Sequence, residues 1–241
     1  MKIQSTKDIS VHKIKCLVYG ESGVGKTTLA STLKGKTLII SSESGLMSLK
    51  DTDVDFIDIN LDDNGEMLDD TGKVQKMHTI CKALKEDKKL RQTYDNIFLD
   101  SITDMADILQ RWAEKETKDS KNKFEKWTKY AQVFTSFLHN FRDIPFYNVV
   151  FVALAAQDGD EDSKTFGQWL PVVTGKTPRD KVLRPALDEI YFYTQNDNDQ
   201  RILVTKQTHK NIAKNRSKGL EMVEKPDLQA IFDKIIKKEN K

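Results

Sequence analysis

The apolar positions of this chain switch between two periods. Short, nearly continuous apolar runs at 14–19, 37–43, 96–100 and 149–156 read as strands covered on both faces, and 55–59, apolar at alternate residues, reads as a further strand. Stripes at three- and four-residue spacing lie between them. Residues 27–33 open a helix behind the first strand. Val74, Met77, Ile80, Cys81 and Leu84 mark a second helix, and Ile102, Met105, Ile108, Leu109 and Trp112 a third. Trp127, Tyr130, Phe134, Phe137, Leu138 and Phe141 mark a fourth, whose spacing makes these aromatics a core face before a base-stacking platform. Residues 114–126, rich in Lys and Glu, read as a loop or frayed helix end. A polar segment at 158–176 follows the central strand, and strands at 189–194 and 201–206 flank a turn-rich tip. A last amphipathic helix carries Leu228, Ile231, Phe232, Ile235 and Ile236, with Pro226 near its start. Alternating strands and helices predict an α/β fold: a mainly parallel central sheet flanked by helices, with a C-terminal β-hairpin. No internal repeat or low-complexity linker divides the chain. It is expected to be a single domain, with a core at about 14–218 and a terminal helix at about 226–238.

The length of 241 residues suffices for one such domain. Lys and Arg number 39 against 37 Asp and Glu, so the net charge of +2 does not by itself point to nucleic acid. Its distribution is uneven. Residues 51–70 hold nine carboxylates and no Lys or Arg, which reads as a solvated loop, whereas 201–241 hold eleven basic and five acidic residues. Cys16 and Cys81 suggest a reducing compartment. No apolar run approaches membrane-spanning length, and the first seven residues lack a secretory apolar region, so a cytoplasmic protein without a membrane partner is expected.

The chemistry begins at Gly20-Glu21-Ser22-Gly23-Val24-Gly25-Lys26-Thr27, a complete G-x-x-x-x-G-K-[ST] loop between a strand and a helix. Its glycines let backbone N–H groups, Thr28 included, turn inward on phosphate oxygens. Lys26 can reach the β- and γ-phosphates, and the Thr27 hydroxyl can bind Mg²⁺. The cofactors expected are ATP and Mg²⁺. Asp100 ends an apolar strand 73 residues beyond Thr27 and can hold the other side of the metal shell. At least one strand and one helix intervene, which points to the branch of P-loop ATPases with an inserted strand. A glutamate commonly follows the metal-binding Asp there, but this chain has Ser101. Glu43, at a strand's carboxyl end, is the best remaining base for the attacking water, the alternative being an acid that caps the Ser44-Gly45 turn. Gln157, at the end of the central strand, can sense a γ-phosphate or can be an ordinary strand-end amide.

This ordered set, from residues 20–27 through Glu43, Asp100-Ser101 and Gln157 to a polar loop and a hairpin, resembles the RecA-like ATPase core from about residue 14 to about 218. In lacking flanking domains it is similar to the small phage-encoded ATP-dependent single-strand annealing recombinases. Trp169-Leu170-Pro171, Gly175-Lys176, Asp188 and Ala213-Lys214-Asn215-Arg216 extend the likeness. The resemblance implies that 158–176 corresponds to the second DNA-binding loop of recombinases, with the Lys-rich stretch at 115–129 near the first. Lys164, Lys176 and Arg179 would then neutralise phosphates, and Phe166 or Trp169 would stack on bases. Asp158, Asp160, Glu161 and Asp162 leave a plain acidic loop equally open, and Trp169 can equally be a buried anchor. Lys214 and Arg216 match the basic pair that recombinases project into a neighbour's ATP site, or are two solvated cations.

The leading functional expectation is a DNA-dependent ATPase that binds single-stranded DNA in recombination or replication and self-associates into a filament or ring. A single-strand-binding protein is a further partner, and for a phage protein the compartment is the host cytoplasm. A ring-type helicase or translocase is the second reading. A P-loop small-molecule kinase comes third, because only 176–184 could serve as a lid, and that segment is short and mixed in character.

Overall fold

A computed structural model describes residues 13–43, 45–217 and 219–239. The N-terminal segment and Ser44, on which two of the sequence readings fall, lie outside the described residues. In chain order the first half supplies β1 (Lys15–Gly20), β2 (Thr37–Ser41), β3 (Asp55–Asp58), α1 (Asp70–Glu86), α2 (Lys88–Thr93), β4 (Asn96–Asp100) and α3 (Ile102–Glu116). The second half supplies α4 (Glu125–Arg142), β5 (Asn148–Gln157), β6 (Trp169–Pro171), α5 (Arg184–Ala186), β7 (Glu189–Gln195) and β8 (Arg201–Val204). The short β9 (Lys214–Asn215) and β10 (Val223–Glu224) and the terminal α6 (Leu228–Glu239) complete it.

Six strands run parallel in the order β3-β2-β4-β5-β1-β7, and the hairpin partner β8 and then β10 extend the sheet antiparallel. β5 lies between β1 and β4, so the strand leading into the P-loop and the strand ending at Asp100 are separated by an inserted one. This is the α/β class expected of a RecA-like P-loop fold. Alternate side chains of β1 enter two cores. Leu17 and Tyr19 pack beneath α1, α3 and α4, while Cys16 and Val18 pack with Leu29, Ala30 and α6 on the other face. Both faces are covered, which is why β4 and β5 read as unbroken apolar runs.

Local signals place the ends of the helices. The Asp69 carboxylate caps α1 by accepting from Gly72 N at 2.8 Å, and Ser101 caps α3. The acidic stretch at 51–70 is thus more than the solvated loop expected of it. Asp55 lies in an edge strand and pairs with Lys36 at 2.7 Å, and Asp70 pairs with Arg111 at 3.0 Å.

The helix expected after the P-loop is tighter than an α-helix. Residues Thr27–Thr32 form a 3-10 turn, with Leu29 N donating to Lys26 O at 3.1 Å. Composition explains it: Thr28, Ser31 and Thr32 each donate a hydroxyl to the carbonyl three residues back, at 2.6, 2.8 and 2.7 Å. The Thr32 hydroxyl also accepts from Leu228 N at 3.0 Å, joining this turn to α6.

Phe232 of α6 is buried against the same turn. Phe232→Ala should cost about 3 kcal/mol of stability. A lower urea midpoint at unchanged slope is the expected result.

Candidate active site

Parallel register brings the chemistry to one edge. Gly20 aligns with Leu154, Val152 with Asp100, and Asp100 with Ser41. The loops that leave β1, β2 and β4 therefore open at the carboxyl edge of the sheet, where ligands gather in such folds. Gly23 and Gly25 take φ of +78° and +102°, the left-handed conformations that turn the loop back over the strand end.

Lys26 is buried, and its Nζ donates to the carbonyls of Gly20 at 2.9 Å and Glu21 at 2.7 Å. Burial lowers its pKa, against the upward pull of Asp100, Glu43 and Glu21. The Thr27 hydroxyl donates to Asp100 Oδ2 at 2.6 Å. Burial raises the Asp100 pKa to about 6, with the charges of Glu43 and Asp104 pushing the same way and Thr27 and Lys26 opposing. This pair suits Mg²⁺. Both donors are hard oxygens, and a buried carboxylate is stabilised by a cation beside it.

Glu43 stands at the same edge. Ser101 Oγ donates to its Oε1 at 2.5 Å. The residue that follows Asp100 is thus in contact with Glu43 across the strand ends. Ser42 locks the two strand ends together: its N–H donates to Asp100 O at 2.8 Å, and its Oγ accepts from Ser101 N at 3.1 Å. Sequence reasoning treated Ser101 only as a missing acid and passed over Ser42, although Ser41-Ser42-Glu43 at a strand end was the available signal. It also passed over Arg201, whose guanidinium lies against Gly25.

Other expected residues stand elsewhere. Gln157 is exposed and lies five residues beyond Val152, the neighbour of Asp100, or about 16 Å along the strand. β5 continues into pairing with β6, so Gln157 sits in that hairpin opposite Trp169, three residues beyond Leu154, the neighbour of Gly20. Trp169 is half-buried and stacks on Phe192 at 5.9 Å, which makes it the anchor of the segment and not a free stacking face. Phe166 and Lys164 are exposed. Lys176 is ion-paired with Asp160, and Arg179 with Asp180 at 2.9 Å. Lys214 turns inward and donates to Arg184 O at 3.1 Å and to Leu187 O at 2.5 Å. Arg216 stays at the surface, paired with Asp188 at 2.7 Å.

The family model described as "AAA domain" matches residues 12–217. The chain belongs to the AAA domain family. A P-loop ATPase domain is therefore present, and the strand order accords with it. No curated protein sequence matches the chain. Among solved structures, a RadB recombinase is similar at 15% identity, with a TM-score of 0.42 over 79% of each chain. A type III secretion system ATPase of pathogenic bacteria is similar at 14% identity, with a TM-score of 0.49 over 75% of this AAA chain and 52% of its own.

The raised Asp100 pKa has a signed consequence. The unfolded carboxyl ionises near pH 4 and the folded one near 6, so the folded state holds the proton between them and loses stability as pH rises through that window. Asp100→Asn should leave the nucleotide-free protein about as stable as the parent at pH 4 and more stable, by roughly 1–3 kcal/mol, above pH 6. Melting curves of both proteins across that range, without metal or nucleotide, check it.

Proposed function

We propose that this AAA domain hydrolyses ATP and acts as a single-stranded-DNA-binding recombinase or annealing protein. The observation that carries the ATPase part is the meeting of Thr27, Asp100 and Glu43 over a loop whose Lys26 is already buried at the phosphate position. When ATP binds, Lys26 exchanges the Gly20 and Glu21 carbonyls for phosphate oxygens. Thr27 and Asp100 would hold Mg²⁺, which would supply positive charge to offset the charge of the phosphates. Glu43 takes a proton from the water whose oxygen attacks the γ-phosphorus as the bond to the bridging oxygen breaks, releasing ADP and phosphate. Ser101 aims the carboxylate, and Ser42 keeps the two strand ends in register.

The DNA part is supported by exposed groups of the right chemistry on two segments, the start of α4 and the stretch after β5. Phe124 and Trp127 are exposed at the start of α4, and Lys126 lies over the Trp127 ring at 5.6 Å. Phe166 and Lys164 are exposed on the segment after β5. Aromatic faces among lysines suit unpaired bases and their phosphates. Arg216, at the surface, is the residue suited to reach a neighbouring subunit's nucleotide in a filament or ring, whereas Lys214 is already used within its own chain.

Lys26→Ala should abolish ATP turnover. Glu43→Gln should still bind ATP but hydrolyse it about a hundredfold more slowly, as befits loss of a general base. Steady-state phosphate release with and without single-stranded DNA, at low and moderate salt, tests the whole reading. The expected result is stimulation by DNA that weakens with salt. Turnover indifferent to DNA would remove the recombinase reading and leave the ATPase standing. Undiminished turnover by Lys26→Ala would remove both.

A further inference from the structure

The phosphate cradle has a second cation that no motif predicts. Arg201 opens β8 and pairs in register with Gln195, two residues beyond Tyr193, which itself aligns with Gly20. Its side chain leans from the hairpin over the P-loop. A Cβ added at Gly25 would lie 2.9 Å from Arg201 Nη1 and 3.1 Å from Thr28 Oγ1, so the guanidinium rests against the loop backbone beside Thr28. Arg201 is exposed, and among the described residues no carboxylate lies within ion-pair distance of it. The Tyr193 hydroxyl lies within hydrogen-bonding reach of Arg201 and is neutral, its pKa raised by burial against the lowering pull of that guanidinium. The guanidinium fork, with only a neutral hydroxyl beside it, is thus held at the rim of an anion site with no anion of its own.

Sheet order says which phosphate it would meet. Asp100 and Glu43 stand at the ends of β4 and β2, on one side of β1. Arg201 comes from β8, on the other side and four strand spacings from β4, or about 19 Å at the sheet. A triphosphate with its γ end at Thr27, Asp100 and Glu43 runs back across the loop. Its α-phosphate would then lie toward the Gly25–Thr28 edge, where Arg201 rests. We propose that Arg201 binds the α-phosphate of the bound nucleotide from within the same subunit. It therefore supports ADP and ATP alike and takes no part in γ-phosphate transfer. The inference rests on the ATP-site assignment given under Proposed function.

Titration calorimetry with Mg·ADP and Mg·AMPPNP, together with steady-state ATPase, tests it on the parent, Arg201→Ala, Arg201→Gln and Arg201→Lys. Loss of a charge-assisted contact at an exposed site should raise both dissociation constants about tenfold in the Ala and Gln variants. Turnover at saturating ATP should stay within about threefold of the parent, and Arg201→Lys should recover part of the affinity. Arg201 is exposed, so loss of its contact with the Tyr193 hydroxyl should move the nucleotide-free melting temperature only slightly. The Gln variant keeps the side-chain stem should the Ala variant lose stability. Unchanged affinities for both nucleotides would overturn the proposal. So would weakening of AMPPNP alone, or a fall in turnover at unchanged affinity, since each would place the guanidinium at the γ end. A parent that binds neither nucleotide would overturn the ATP-site assignment and this inference together. A parent that binds both, beside variants that bind equally well, would remove only the role of Arg201.

Discussion

The hydrogen bond from Thr27 to Asp100 spans 73 residues of sequence, and the rest of the nucleotide edge depends on it. It forms only because β5 separates β1 from β4 in a parallel register that brings both strand ends to one level. A one-residue slip in either pairing would turn Asp100 to the other face of the sheet. The apolar faces of these strands guard against such a slip. Leu17, Leu99 and Phe151 enter one core, while Val18, Phe98 and Val150 enter the other.

That geometry confines opposite charges in a poorly hydrated space. Lys26 loses proton affinity to burial, and Asp100 gains it. Neither is at ease in the free protein. Lys26 leans on backbone carbonyls, and Asp100 on a neutral hydroxyl. Anion and cation arriving together as nucleotide and metal would relieve both, so the same burial that costs stability favours ligand. The serines complete the arrangement. Ser101 caps α3 through one hydrogen bond and orients Glu43 through another, so the start of a helix and the Glu43 carboxylate share one side chain.

Much of this was legible in the chain. Continuous apolar runs betray strands covered on both faces, because no polar face is needed where helices lie on each side. The P-loop spelled out its own chemistry, and the order of Glu43 and Asp100 after it pointed to the inserted-strand arrangement. Position along a strand does not give the partner that a residue meets across it. Gln157 ends β5, where pairing with β6 sets it opposite Trp169. Lys214 reads as a projecting cation in a basic tail, yet it serves two carbonyls in its own subunit. The turn after the P-loop has an apolar helical stripe, and its hydroxyls tightened it to 3-10 by competing for its carbonyls.

The sequence by itself determined what depends on neighbours along the chain: the anion-binding loop, the alternation of strands and helices, the helix caps, and the stripes that became the two cores. Tertiary structure alone decided what depends on distance across the sheet. It set Ser101 against Glu43, placed Arg201 over Gly25, paired Gln157 with Trp169 and turned Lys214 inward. Periodicity records which face a residue occupies. Strand order and register decide which residue from another strand meets it there, and those follow from how whole elements pack.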